Sequence, residues 1–412
     1  MPIALDNLKE SNEFLNLILE NINSAILIAD ENMRVHQFNN SFLSLFDHAA
    51  DRVFESSFGQ ISGCVNAVKE NKPCGGTSRC QFCVLRKTLL QTLVEDYPAD
   101  LKSMERVFYI KGKPVLKNLE VTSRLIRFHG QKMILVIIYD VSVIEEQKRK
   151  LEKQQQQINH ELETAGEIQK SLLPDSDLEI DNILIAWRFE PSGHIGGDIF
   201  QIHKISEEQI GIYMLDVCGH GVSAALVAVT ISQFMMSLHN RMRLTGKLFS
   251  PEAVMNRLDK EFPMERFDCF FSIVYTVFNI ETGCFVYSNA GHMPPVILRS
   301  TGQLEMLENH GTAIGIGFGA AFGQEEKQLN AGDRLILYTD GLIENFGTDG
   351  EREGKDRFHA FMENSQHLPT QDLVDSAFED ANRQRGGSAP SDDMSLIVVE
   401  FTKKGCEGRE DC

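Results

Sequence analysis

At 412 residues the chain is too long for one ordinary domain and implies two or three. Its 42% hydrophobic and 24% charged content is that of globular material with ample apolar surface to bury. A formal net charge of -19, from 59 acidic and 40 basic residues, excludes nucleic acid or an anionic membrane as main partner, because both require clustered cations.

The apolar run "MILVII" at 133–138 is far too short to span a bilayer, and "MPIALDNLKE" lacks a basic region followed by an apolar core. No membrane partner and a cytoplasmic location are therefore expected. Along residues 1–142 the pattern is that of a small mixed domain. "SNEFLNLILENI" has helical spacing, "SAILIAD" and "RVHQF" read as strands around the turn "ENM", and "NNSFLSLF" reads as a helix capped by Asn. "RVFYI", "NLEVTSRLIRF" and "KMILVIIYDVS" then read as three antiparallel strands separated by "KGKP" and "HGQ". Two strands, helices, three strands and an exit helix resemble a PAS sensor domain over roughly residues 11–145, and "YDVSVIEEQ" resembles the ending that joins such domains to a signalling helix.

Inside this region Cys64, Cys74, Cys80 and Cys83 are separated by nine, five and two residues. The terminal CxxC lets two sulfurs reach one metal, and Gly75 and Gly76 allow a bend between the pairs. A four-thiolate site for Zn²⁺ or an iron–sulfur cluster is the expectation, with reduced or switching thiols as the alternative. The other five cysteines, Cys218, Cys269, Cys284, Cys406 and Cys412, read as small hydrophobes or tail thiols, and an odd total argues against a disulfide framework.

Residues 143–173 are rich in helix formers and end before Pro174, so one long helix is expected. Ile144, Leu151, Ile158, Ala165 and Leu172 recur every seven residues, whereas Lys148, Gln155, Leu162 and Gln169 make the companion seam mostly polar. The pattern fits a weak coiled coil that would pair two protomers, or a solvated helical spacer. Beyond Pro174, residues 174–402 alternate strands rich in Ile, Val, Phe and Tyr with a few helices, including a hairpin around "ETG" and the strands "DRLILYTDG" and "MSLIVVEF". Residues 403–412 form a tail.

The chemistry lies in five acidic residues at four predicted strand edges. Asp198 ends "HIGGD", Asp216 ends "IGIYMLD", Asp340 ends "RLILYTD", and Asp392 and Asp393 precede "MSLIVVEF". A GGDEF-type cyclase would need a second carboxylate after Asp198, but that position is Ile199, which cannot bind a hard cation. Carboxylates converging from separate strands instead suit a two-metal phosphate site.

In order, "GGDIFQI", "LDVCGHGVSAALVA", "SNAGHMPP", "LYTDGLIENF" and "SDDMSLIVV" resemble the PPM family of metal-dependent serine/threonine phosphatases, in its bacterial SpoIIE-like (RsbU-like) branch. "AGEIQKSLLP" at 165–174 resembles the branch's helical lead-in. The resemblance implies an α/β/β/α sandwich within an α+β multidomain chain, holding two Mn²⁺ or Mg²⁺ ions that activate water for attack on phosphorus. It implies that Asp216 bridges both ions, that the Val217 carbonyl serves one, that Asp340 and Asp392 hold the second, and that Asp198 binds directly or through water. Asp393 reads as a support, and Cys218 stands where the branch often has Ser. His220 reads as a proton donor or a cap for the helix starting near Val222, and His292 as a fixture of the turn between two strands. The implied substrate is a phosphorylated STAS-type anti-sigma factor antagonist; the rival is an inactive redox-sensing scaffold.

Overall fold

The computed structural model describes residues 8–47, 56–128, 130–175, 178–308, 311–317, 322–347, 351–386 and 389–402. Cys406, Cys412 and the predicted tail lie outside them. The chain divides into an N-terminal unit, residues 1–156, and a C-terminal unit, residues 157–412.

The N-terminal unit is built on one antiparallel sheet, ordered Val35–Phe38, Ala25–Ala29, Gln131–Asp140, Lys113–Phe128 and Ala99–Ile110. Asn39 caps the helix Asn40–Phe46, its side chain accepting from the Phe42 amide, and so fixes where strand gives way to helix. Alternate residues of the central strands, among them Leu27, Ile134, Val136 and Ile138, pack with Phe42, Phe46 and Phe108 into this unit's core. The edge strand Ala99–Ile110 starts seven residues earlier than "RVFYI" suggests. Its first half carries Asp100, Lys102 and Glu105, as solvent-facing edge strands commonly do.

The helix Ser142–Lys170 follows. Ile144, Leu151 and Ile158 are 63%, 67% and 50% exposed along it, whereas Leu172, the last heptad position, packs against the core of the C-terminal unit.

In the C-terminal unit two antiparallel five-stranded sheets carry the fold. One is ordered Glu325–Gln328, Cys284–Ala290, Phe271–Asn279, Gln209–Val217 and Ile199–Lys204. The other is ordered Leu304–Met306, Val296–Leu298, Arg334–Tyr338, Met394–Phe401 and Ile183–Glu190. Ile199, Leu215 and Tyr275 from the first sheet share a core with Leu335, Leu337, Ile397 and Val399 from the second. Strands such as Arg334–Tyr338, buried at every residue, read as continuous apolar runs because both faces are covered. The helices Val222–Thr245 and Pro251–Glu261 cover the first sheet, and Asp340–Phe346 and Thr370–Gln384 the second.

Val222–Thr245 is, by length and composition alone, apolar enough to cross a membrane. Ala224, Ala228, Ile231, Met235 and Leu238 on it are buried in the core of this unit, so the apolarity serves packing.

His239 on the same helix is 3% exposed, shares a hydrogen bond with the Tyr275 hydroxyl at 2.9 Å and lies 4.8 Å, ring to ring, from His203. Burial, reinforced by His203, pushes its pKa down to about 3, and burial also lowers that of His203. The unfolded imidazole titrates near ~6.5, so the stability of a neutral His239 is full above that pH and declines as pH falls toward 3, by about 1.4 kcal/mol per unit. Urea unfolding at about pH 7.5 and about pH 5 checks this: His239→Gln flattens the decline by one histidine's share, and an unchanged slope contradicts it.

Candidate active site

The four acidic positions come from four separate stretches of the C-terminal unit. Asp216 stands in the last turn of pleat of Gln209–Val217, and Asp340 opens the helix Asp340–Phe346 just after the strand Arg334–Tyr338. Asp392 lies just ahead of the strand Met394–Phe401. These three line one cleft of about 290 Å³ together with Cys218, Ser272 and His292. No lysine or arginine lines it among the described residues.

Asp198 sits elsewhere. It is 1% exposed and does not line the cleft; its carboxylate accepts from Ser395 Oγ at 2.6 Å and from the Thr339 hydroxyl. It is nevertheless close enough to Asp216 and Asp393 that burial, then their charges, hold its pKa well above the usual carboxylate range.

Asp393 organises this corner. One carboxylate oxygen accepts from the Ser192 amide at 2.7 Å and the Ser192 hydroxyl at 3.0 Å. The other accepts from the amides of Gly197 at 2.5 Å and Asp198 at 3.4 Å. A Cβ at Gly196 would collide with that carboxylate, and one at Gly341 with the Asp393 carbonyl. One at Gly197 would stand 2.9 Å from the Val217 carbonyl oxygen. The Gly-Gly pair thus exists so that this loop can close on Asp393 on one side and on the Val217 carbonyl on the other. Asp393→Ala would strand several buried N–H groups, a cost of about 3 kcal/mol, and is expected to lower the melting temperature measurably while loosening the Asp198 loop. A melting curve identical to wild type would contradict that role.

The last turn of Ser142–Lys170 meets the same loop. Gln169, 3% exposed, donates from Nε2 to the Gly196 carbonyl at 2.7 Å and accepts from the Gly196 amide at 3.0 Å. A Cβ at Gly166 would collide with the His194 carbonyl. The heptad reading placed Gln169 only as a polar break in a seam; nothing in its local pattern marks it as the clamp on the Gly-Gly-Asp loop.

The histidines divide. Asn289, not His292, fixes the turn, its side chain bonding the backbone of His292 at both N and O. His292 itself shares a hydrogen bond with Ser272 Oγ at 2.7 Å through Nδ1, and its buried Nε2 has no hydrogen-bond partner among the described residues. Burial pushes its pKa down to about 3, so it lines the cleft as a neutral imidazole. The capping role expected of His220 is not there: Gly221 is the N-cap, no side chain caps the helix, and His220 is exposed near enough to Asp392 to temper its raised pKa.

In the cleft, burial and then the charges of Asp340, Asp392 and Asp393 push Asp216 up to about 7, and burial chiefly raises Asp392. Hard oxygen donors that repel one another, in a cleft lined by no lysine or arginine among the described residues, are the donor chemistry of Mg²⁺ or Mn²⁺. As placed, no three His, Cys, Asp or Glu side chains among the described residues converge on a single ion. A pair of ions that each keep water, with carboxylates divided between them, does not require such convergence.

Comparison with known proteins finds relatives of the C-terminal unit. Residues 206–402 match the family described as stage II sporulation protein E (SpoIIE). The phosphoserine phosphatase RsbP of Bacillus subtilis is 28% identical over 247 residues, 58% of this chain and 57% of RsbP, so the match spans little more than half of that relative. The phosphoserine phosphatase RsbU of the same organism is 26% identical over 297 residues, 72% of this chain and 86% of RsbU. Among solved structures, the SiaA PP2C domain of Pseudomonas aeruginosa superposes with a TM-score of 0.52 at 20% identity, covering 60% of this chain and 98% of that one, which shows a shared fold. The C-terminal unit of this chain is therefore similar, over residues 206–402, to the SpoIIE family, and it shares the fold of a PP2C phosphatase domain.

Proposed function

We propose that the chain is a cytoplasmic protein serine/threonine phosphatase that removes phosphate from a phosphorylated signalling protein, a STAS-type anti-sigma factor antagonist. The observation that carries this is the acidic cleft shared by Asp216, Asp340 and Asp392, in a unit similar to the SpoIIE family. The relatives named phosphoserine phosphatase support the substrate class.

Asp216, Asp340, Asp392 and the Val217 carbonyl would hold two Mn²⁺ or Mg²⁺ ions, with Asp198 behind them. When bound, such ions neutralise phosphate oxygens and lower the pKa of water. The chain's own residues do the rest. Asp393 and Gln169 fix the loop that carries Asp198, and Ser272 orients a neutral His292 at the wall of the cleft. With Asp216, Asp340 and Asp392 the charged groups that line the cleft among the described residues, bound cations would favour entry of a phosphate dianion. The inactive-scaffold alternative would keep this self-repelling cluster to no purpose.

The N-terminal unit, read as a PAS-like sensor, would regulate the phosphatase through Ser142–Lys170, with Ile144, Leu151 and Ile158 pairing two protomers. Their exposure supports that reading. The test is Mn²⁺-dependent release of phosphate from an aryl phosphate and a phosphoserine peptide by the full chain. Activity that needs the ion, and that changes when residues 1–140 are deleted, supports the proposal. Hydrolysis unaffected by a chelator refutes it.

A further inference from the structure

The four cysteines of the N-terminal unit surround a second site. Cys64, Cys74 and Cys83 line a cavity of about 50 Å³ with Arg86, Arg106 and Phe108, and Cys80 lies close enough to Cys74 for its charge to be felt there. Local sequence builds this. Gly75 takes a left-handed φ of +99°, which turns its amide toward Cys80 Sγ at 3.2 Å. A Cβ at Gly59 would stand 2.6 Å from Cys74 Sγ, so only glycine lets that sulfur in. Cys83 is the N-cap of Val84–Glu95, at the end of the helix where negative charge is favoured.

The hydrogen bonds carry the argument. The Gly59 amide donates to Cys74, the Gly75 amide to Cys80, and Arg106 Nη1 to Cys83 at 3.4 Å and to Cys64 at 3.7 Å. All four sulfurs therefore accept from N–H donors, as the ligand sulfurs of iron–sulfur clusters do. Arg106 is half-buried, and no carboxylate lies within ion-pairing distance of Arg106 or Arg86 among the described residues. Two guanidinium groups lining the cavity beside sulfur, with no carboxylate partner among the described residues, suit an anionic group there.

No three of the sulfurs are placed to share a single ion. Tetrahedral zinc would draw its ligands to ~2.3 Å around one centre, whereas each thiolate of a polynuclear cluster binds a different iron. We propose that Cys64, Cys74, Cys80 and Cys83 ligate an iron–sulfur cluster in this cavity, with Arg106 and Arg86 offsetting its negative charge.

The test uses the full chain, purified without oxygen and reconstituted with ferrous iron and sulfide. The wild type is expected to hold iron and acid-labile sulfide in equal amounts, with a broad visible absorption that bleaches on reduction. Cys74→Ser and Cys80→Ser, both outside the buried core, are expected to lose about tenfold in bound iron, and Cys284→Ser to lose none. Arg106→Gln, made where the ligands remain intact, is expected to lower the reduction potential, because it removes a positive charge and the donors to two sulfurs. A colourless wild type, bound zinc without iron, or iron content unchanged by Cys80→Ser would overturn the assignment.

Discussion

Asp216→Asn is expected to abolish Mn²⁺-dependent phosphatase activity, by more than about a hundredfold, while making the metal-free protein more stable. The two effects have one cause. Asp216 is pressed against Asp340, Asp392 and Asp393, and burial with their charges pushes its pKa up to about 7. A carboxylate whose folded pKa exceeds its unfolded value near ~3.9 binds its proton more tightly in the native state. It therefore destabilises the fold as pH rises from about 4 through about 7, and the penalty is complete above that. Asparagine has no charge to hold and nearly the same shape. In a chelator at about pH 8 the variant is expected to melt several degrees above wild type, since about 1 kcal/mol is worth about 3 °C in a domain of this size. At about pH 4 the two melt together. Thermal melts at both pH values, beside an activity assay, check this; an active variant, or one less stable at about pH 8, would contradict it.

Gln169→Leu is expected to cost about 2 to 4 kcal/mol of stability and about tenfold in phosphatase turnover, although the residue does not line the cleft. Its carboxamide makes both a donor and an acceptor bond to Gly196, two residues before Asp198, and all of these groups are buried. Leucine fills similar space but leaves the Gly196 N–H and C=O without their partner, and an orphaned buried polar group costs more than the bond it lost contributed. Because Gln169 lies in the last turn of a helix that begins in the N-terminal unit, the same substitution is expected to blunt any difference that deleting residues 1–140 makes. Turnover at saturating Mn²⁺, with and without that deletion, separates a positioning role from a general loss of stability. A variant as active and as responsive as wild type would remove Gln169 from the coupling.

Much of the architecture was legible because the physics behind it is local. The strand Met394–Phe401 and the hairpin Phe271–Asn279 with Cys284–Ala290 show as apolar runs bounded by turn residues, and the Asn39 cap is one residue's chemistry. Asp216, Asp340 and Asp392 were legible as strand-edge acids next to small residues. What was hidden is long-range. Asp198 looks like an equal member of the acidic set, yet it is buried against Ser395, and the support expected of Asp393 takes the form of bonds to backbone amides about 200 residues away in sequence. No local pattern distinguishes a carboxylate that will bind a cation from one that will hold a loop. His220 looked like a cap because it precedes a helix, but Gly221 takes that position and leaves the imidazole exposed. The first half of Ala99–Ile110 escaped because its charges mask the alternation of an edge strand.

Manganese binding by the full chain, counted by equilibrium dialysis against activity, tests the account most directly, since Mn²⁺ prefers carboxylate oxygen to thiolate. Two ions per wild-type chain, fewer in Asp216→Ala, with phosphate release rising in step with occupancy, is the expected result. An Asp216→Ala chain that still binds both ions, or a wild type that releases phosphate with none bound, would contradict it.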